Sequence, residues 1–162
     1  MPENPLPPGP NVRSKTYYVA STLVPCHHCG APTRLLALAL PRDHDVLDPD
    51  ESGVWHPAQV NAFLFYIENL PDEIQSQLRR LSRQFHVSKS TEAPGSYWAN
   101  HCDHCDAQLD DEELHCEMDS AFMPSSGAAA ANIQLLEILS PFEGLAHGYA
   151  VEPEYFHSMR KS

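Results

Sequence analysis

Residues 16–30 read TYYVASTLV followed by PCHHCG, and residues 33–40 read TRLLALAL. β-Branched and aromatic types fill Thr16–Val24, which predicts a strand. Pro25 and the CHHCG after it predict a tight turn. Thr33–Leu40 is apolar, short and stopped by Pro41. Leu and Ala would also suit a helix, but the length and the proline favour a returning strand. The chain therefore offers a hairpin with a Cys-x-x-Cys turn at its tip.

The same turn occurs once more. Ser96–Asn100 (SYWAN) predicts a strand and leads into His101 and Cys102-Asp103-His104-Cys105. Two residues between cysteines let both sulfurs of one turn face one ion, with backbone N–H groups spreading their charge. The position after the second cysteine often needs a positive φ. Gly30 meets that need without steric cost, and Asp106 tolerates it better than most residues. Cys26, Cys29, Cys102 and Cys105 are the candidate metal ligands. Four thiolates satisfy tetrahedral Zn²⁺ with no open position, which marks a structural site. Iron also suits soft thiolates; zinc is the expectation. Mixed Cys/His ligation and a redox pair are the alternatives. A redox Cys-x-x-Cys belongs at a helix N-terminus in a βαβ pattern, whereas PCHHCG lies between predicted strands.

The pattern resembles the zinc-ribbon and rubredoxin-like class, in which two CxxCG knuckles on hairpin turns face each other across one metal. Pro25–Gly30 and His101–Asp106 carry the resemblance. Simple ribbons have a short spacer, whereas residues 30–101 lie between these knuckles, and the second ends in Asp106 instead of glycine. The resemblance implies an α+β fold: a split zinc ribbon with knuckles on β-hairpin turns, a large α/β insertion, and a small antiparallel or mixed sheet. The chain is also similar to uncharacterised bacterial proteins that carry a CxxCG and, much later, a YxANxCxxC stretch, here Tyr97 to Cys105.

The rest of the chain reads as one domain over residues 16–162, behind a disordered proline-rich leader over 1–15. Residues 41–53 hold five carboxylates and predict a solvated loop. Ala62–Leu70 predicts a buried strand. Pro71, Asp72 and Glu73, followed by Ile74, Leu78 and Leu81 on one face, predict a helix over about 71–84. Phe85–Lys89 suits a short strand. Asp110 and Glu113 fit a capping box, with Leu114, Met118, Ala121 and Phe122 on one face of a helix near 110–122. Residues 124–131 read as a loop or helix start, 132–140 as a strand or short helix, and little is periodic beyond Pro141.

Ten Lys+Arg stand against 22 Asp+Glu, a formal −12. That sign opposes phosphate neutralisation on nucleic acid and docking on anionic membrane. No apolar run approaches the roughly 20 residues of a membrane span, and the N-terminus lacks the features of a secretory signal. The expectation is a soluble cytoplasmic protein with reduced thiols. No Lys or Arg lies between Lys89 and Arg160, while acids crowd residues 103–119 and recur at Glu92, Glu137, Glu143, Glu152 and Glu154. An acidic face is ordinarily only solvated. The sharper reading is a surface for a basic protein partner, centred on Asp110, Asp111, Glu112 and Glu113, in a non-enzymatic inhibitor, immunity protein or adaptor.

Two alternatives stand beside it. One is an enzyme with a cleft in the 30–101 segment, using His56, Tyr66, His115 or Glu117. The other is a nucleic-acid-binding zinc ribbon, for which Arg79, Arg80 and Arg83 are few. No GxSxG, P-loop, HExxH or GxGxxG occurs. Cys116 reads as a buried free thiol. His27, His28, His101 and His104 read as polar cover for the knuckles. His44 and His56, near Asp43, Asp45, Asp48 and Asp50, read as part of the solvated loop, with a second metal as the sharper alternative.

Overall fold

The computed structural model describes residues 9–89, 95–117, 119–151 and 155–161. Its strands are β1 (Val12–Ser14), β2 (Tyr17–Pro25), β3 (Pro32–Leu40), β4 (His44–Leu47), β5 (Trp55–Pro57), β6 (Ala62–Asn69), β7 (Phe85–Lys89), β8 (Ser96–His101), β9 (Gln108–Leu109), β10 (Gln134–Ile138), β11 (Phe142–Val151) and β12 (Arg160–Lys161). Two α-helices accompany them, α1 (Asp72–Leu81) and α2 (Gly127–Ala130), with a π-helical turn at Glu112–Cys116 and a 3-10 turn at Phe156–Ser158.

The predicted hairpin is the centre of the molecule. β2 and β3 pair antiparallel from Tyr18↔Ala39 to Pro25↔Pro32. Around them grows a nine-stranded sheet in the order β12-β10-β2-β3-β6-β11-β1-β4-β5, and β7-β8-β9 form a separate three-stranded sheet. Both faces of the large sheet are buried, which is why β3 is apolar at nearly every position instead of alternating. Tyr17, Val19, Leu36 and Leu38 pack on one face with Leu64, with Ile74 and Leu78 of α1, and with Phe85 and Trp98. Tyr18, Ala20, Leu35 and Ala37 pack on the other with Phe63, Phe122, Ile133 and Phe156.

This overturns the α+β class and the small sheet. The protein is mostly β, and residues 30–101 are not an α/β insertion in a ribbon. They supply β3 and β6, which pair with strands from outside the segment, β2 and β11. The sequence 41–53, expected as loop, contains β4. Residues 12–14, expected within the mobile leader, form β1 between β11 and β4; residues 1–8 lie outside the described set. Helix α1 stops at Leu81, where Ser82 turns extended.

The helix expected over 110–122 is replaced by one π-helical turn. Asp110 and Asp111 point into the protein. Asp111 accepts the Tyr66 N–H at 2.8 Å, and Asp110 accepts the Tyr66 hydroxyl at 3.0 Å. The chain then folds back: the N–H of Phe122 and the hydroxyl of Ser120 both donate to the Leu114 carbonyl. Met118 of the expected apolar face lies outside the described residues. Among the described residues, no helix is long and apolar enough to cross a membrane.

Candidate metal centre

The first knuckle sits at the tip of β2–β3, and the second follows β8 and precedes β9. Each closes in the same way. The Cys26 N–H donates to Ala31 and the Gly30 N–H to Cys26; the Cys102 N–H donates to Ala107 and the Asp106 N–H to Cys102. The residue after each second cysteine is left-handed, Gly30 at φ 78° and Asp106 at φ 62°.

The knuckles meet because the strand carrying the second one runs along the open edge of β3. β6 covers that edge only from Leu38 to Leu40. Beyond it, the Leu36 N–H donates to Asn100 Oδ1 and the Arg34 N–H to Asp103 Oδ2. The Asp103 N–H reaches Thr33 Oγ1, and His104 Nε2 donates to the Pro32 carbonyl at 3.1 Å. Side chains thus finish the ladder that β6 abandons. Neither Asn100 nor Asp103 is read as a functional residue from the sequence; their placement beside a knuckle is the one signal there that could have found them.

The four Sγ atoms of Cys26, Cys29, Cys102 and Cys105 lie within 4.8 Å of one another. Cys26 Sγ is 3.7 Å from Cys105 Sγ, and Cys29 Sγ is 3.6 Å from Cys102 Sγ. A tetrahedron with metal–sulfur bonds of about 2.3 Å has edges of about 3.8 Å. The four cysteines could therefore hold one metal ion. Backbone N–H groups support the inner sulfurs: His28 donates to Cys26 Sγ at 3.3 Å, and His104 and Cys105 donate to Cys102 Sγ at 3.3 and 3.5 Å. The Cys105 N–H foremost, and with it the His104 N–H, pulls the Cys102 thiol down to about 6. Cys26 and Cys102 are buried, whereas Cys29 and Cys105 are exposed.

Comparison of the chain with protein-family models, curated proteins and solved structures gives no match in any of the three. The ribbon resemblance thus rests on the four-cysteine cluster alone.

Other expected site residues are scattered. Of the four carboxylates read as a partner surface, Asp110 and Asp111 are buried; only Glu112 is exposed and Glu113 half-buried. Asp111 is pushed up to about 7, first by burial and then by the Asp110 charge, against the Tyr66 N–H. Glu92, Glu152 and Glu154 lie outside the described residues. The four residues of the enzyme reading occupy separate places. His56 bonds Asp48 at 2.8 Å on the outermost strand, β5. Tyr66 is tied to Asp110, His115 is buried between Phe65 and Phe122, and Glu117 is exposed. Cys116 is exposed rather than buried and stands apart from the cluster. Its thiol is pushed up to about 11 by desolvation and then by Glu112. His44, expected in a solvated loop, is buried, with Nε2 2.5 Å from the Tyr149 hydroxyl.

Proposed function

We propose that the cysteine cluster holds a structural zinc ion and that the chain is a non-enzymatic protein acting through contact with a basic protein partner. The observation that carries the first half is the convergence of four sulfurs from two distant turns, the contacting pairs Cys29–Cys102 and Cys26–Cys105 lying 73 and 79 residues apart. Four protein thiolates close the coordination shell, so no position is left for a substrate or an activated water. The ion's role is then mechanical. It ties the β2–β3 hairpin to the three-stranded sheet and closes a long loop, where a clip constrains the unfolded chain strongly. The charge asymmetry, the exposed acids Glu112 and Glu117 and the half-buried Glu113 support the second half.

Metal analysis and thiol titration test the clamp together. Protein purified without added metal is expected to carry one zinc per chain, with one thiol, Cys116, open to a thiol reagent until a chelator frees the other four. Chelation is expected to lower the melting temperature. One iron per chain would change the ion and keep the clamp. Metal-free protein with five reactive thiols and an unchanged melt would remove it.

A further inference from the structure

Resting on the contact reading above, we propose that the groove beside the first knuckle binds a basic, extended peptide segment of a partner protein as an added strand on β2. The groove measures about 570 Å³. Thr22 to His27 form one wall; Glu113, Glu117 and Asp119 stand on the other.

The strand edge is the first argument. β10 pairs with β2 only as far as Gln134↔Ser21. The next backbone pair pointing that way belongs to Leu23. Leu23 lies opposite Arg34 in β3, and the Arg34 N–H points away from β2 to Asp103. In an antiparallel ladder, that makes Leu23↔Arg34 a non-hydrogen-bonded pair. The Leu23 N–H and C=O therefore face outward over the groove, with no partner strand among the described residues. The bare stretch is one residue long, since Pro25 beyond it ends the strand and has no N–H, and a peptide strand added there takes up the Leu23 N–H and C=O through main-chain hydrogen bonds.

Charge gives the partner its sign. Glu113, Glu117 and Asp119 line the groove, and none of its lining residues is Lys or Arg. His27 stands 3.5 Å from Glu113 across the mouth. Side-chain alternation gives the partner its pattern. Val24 packs against the core cluster on the groove side, and Leu23 stands on the opposite face, 60% exposed. A strand added here places every second side chain over the acids and the others beside Leu23. The segment that fits alternates basic with apolar residues.

The probe is a capped heptapeptide alternating lysine with valine, titrated onto the full zinc-loaded chain and followed by fluorescence anisotropy. Saturable binding with a Kd below about 1 mM is expected. The double variant Glu113→Gln/Glu117→Gln is expected to weaken it at least tenfold. A glutamate–valine peptide and a lysine–valine peptide with N-methylated backbone amides are both expected not to bind. No saturation, equal binding by the double variant, or equal binding of the N-methylated peptide would each overturn the proposal. Zinc content and melting temperature are read on the same samples. Folded, metal-loaded protein that ignores the peptide sinks the groove and leaves the clamp; protein that carries neither zinc nor iron sinks the clamp whatever the peptide does.

Discussion

The Asn100 side chain holds Leu36 as a neighbouring strand would: it accepts the Leu36 N–H at 2.8 Å and donates to the Leu36 carbonyl at 2.9 Å. Asn100 is buried. One amide thus satisfies two backbone groups at the point where β6 leaves the edge of β3, and it registers the second knuckle against the first. Asn100→Ala leaves both groups without partners. The expected loss is about 3 kcal/mol, read as a lower urea midpoint of the zinc-loaded protein. Asn100→Asp keeps the acceptor but turns a carboxylate toward the Leu36 carbonyl. Its deficit is expected to grow from acid to neutral pH, because ionising a buried carboxyl next to an acceptor is unfavourable. A neutral Asn100→Ala would show that the edge is held by other contacts.

The two knuckles differ in how they meet the same backbone demand. A Cβ at Gly30 would meet nothing within 4 Å, so its φ of +78° is the whole cost of any side chain. Gly30→Ala is expected to lose about 1 kcal/mol. Asp106 already bears that strain at φ 62° and recovers part of it by accepting Gln84 Nε2 at 3.0 Å. Asp106→Ala keeps the strain and drops the bond, and is expected to destabilise. Asp106→Gly drops both, and is expected to stay within about 1 kcal/mol of the parent. Denaturation of the zinc-loaded variants ranks them, and zinc content is expected to be unchanged in all three.

Asp111 and His115 set opposing pH dependences. The Asp111 carboxyl moves from its ordinary 3.8 up to about 7, chiefly through burial. Between those values the unfolded chain ionises and the native one does not, so this group's contribution to stability falls as pH rises from about 4 to 7. Burial moves His115 the other way, from 6.5 down to about 3. Below its ordinary value the unfolded imidazole takes a proton that the native one refuses, so its contribution falls as pH drops through that window. Asp111→Asn is expected to gain on the parent with rising pH. His115→Phe, stacked in place of the imidazole between Phe65 and Phe122, is expected to gain with falling pH. Urea midpoints across about pH 4 to 8 give the two slopes; parallel curves for parent and variants would contradict both assignments.

What could be read in the chain was local chemistry. β2, β3, β6, β7 and β8 announced themselves through β-branched, aromatic and leucine-rich runs, and α1 through a proline and acids at its start and apolar spacing along one face. The cysteines were legible because two-residue spacing is fixed by how a turn presents sulfur. The large sheet was not legible. Its order joins β1 to β11 across most of the chain and β6 to β11 across about half of it, and no local pattern encodes such pairings. β11 itself was missed. Its register slips between Leu145 and Ala146, which breaks the alternation, and Gly144 and Gly148 dilute the apolar signal. The acids at 110 and 111 misled for a related reason. They match a helix cap and a solvated face by type, yet Tyr66, held at φ 49° in β6, draws them inward.

Gly148 is where that missed strand shows its logic. It pairs with Phe65 of β6. A Cβ there would lie 2.2 Å from Phe65 Cδ2 and 2.5 Å from Cγ, inside the ring's own contact shell. The Phe65 ring covers the glycine and stacks on His115 at 5.0 Å, so it cannot swing away without disturbing the packing that buries the imidazole. Gly148→Ala is therefore expected to cost about 1–3 kcal/mol, although alanine suits a strand better than glycine does. A double-mutant cycle isolates the cause. In a Phe65→Ala background the space opens, and Gly148→Ala is expected to be neutral or mildly stabilising, giving a coupling of at least about 1 kcal/mol. If the glycine replacement costs the same with and without the ring, backbone conformation rather than the Phe65 contact fixes glycine at this position.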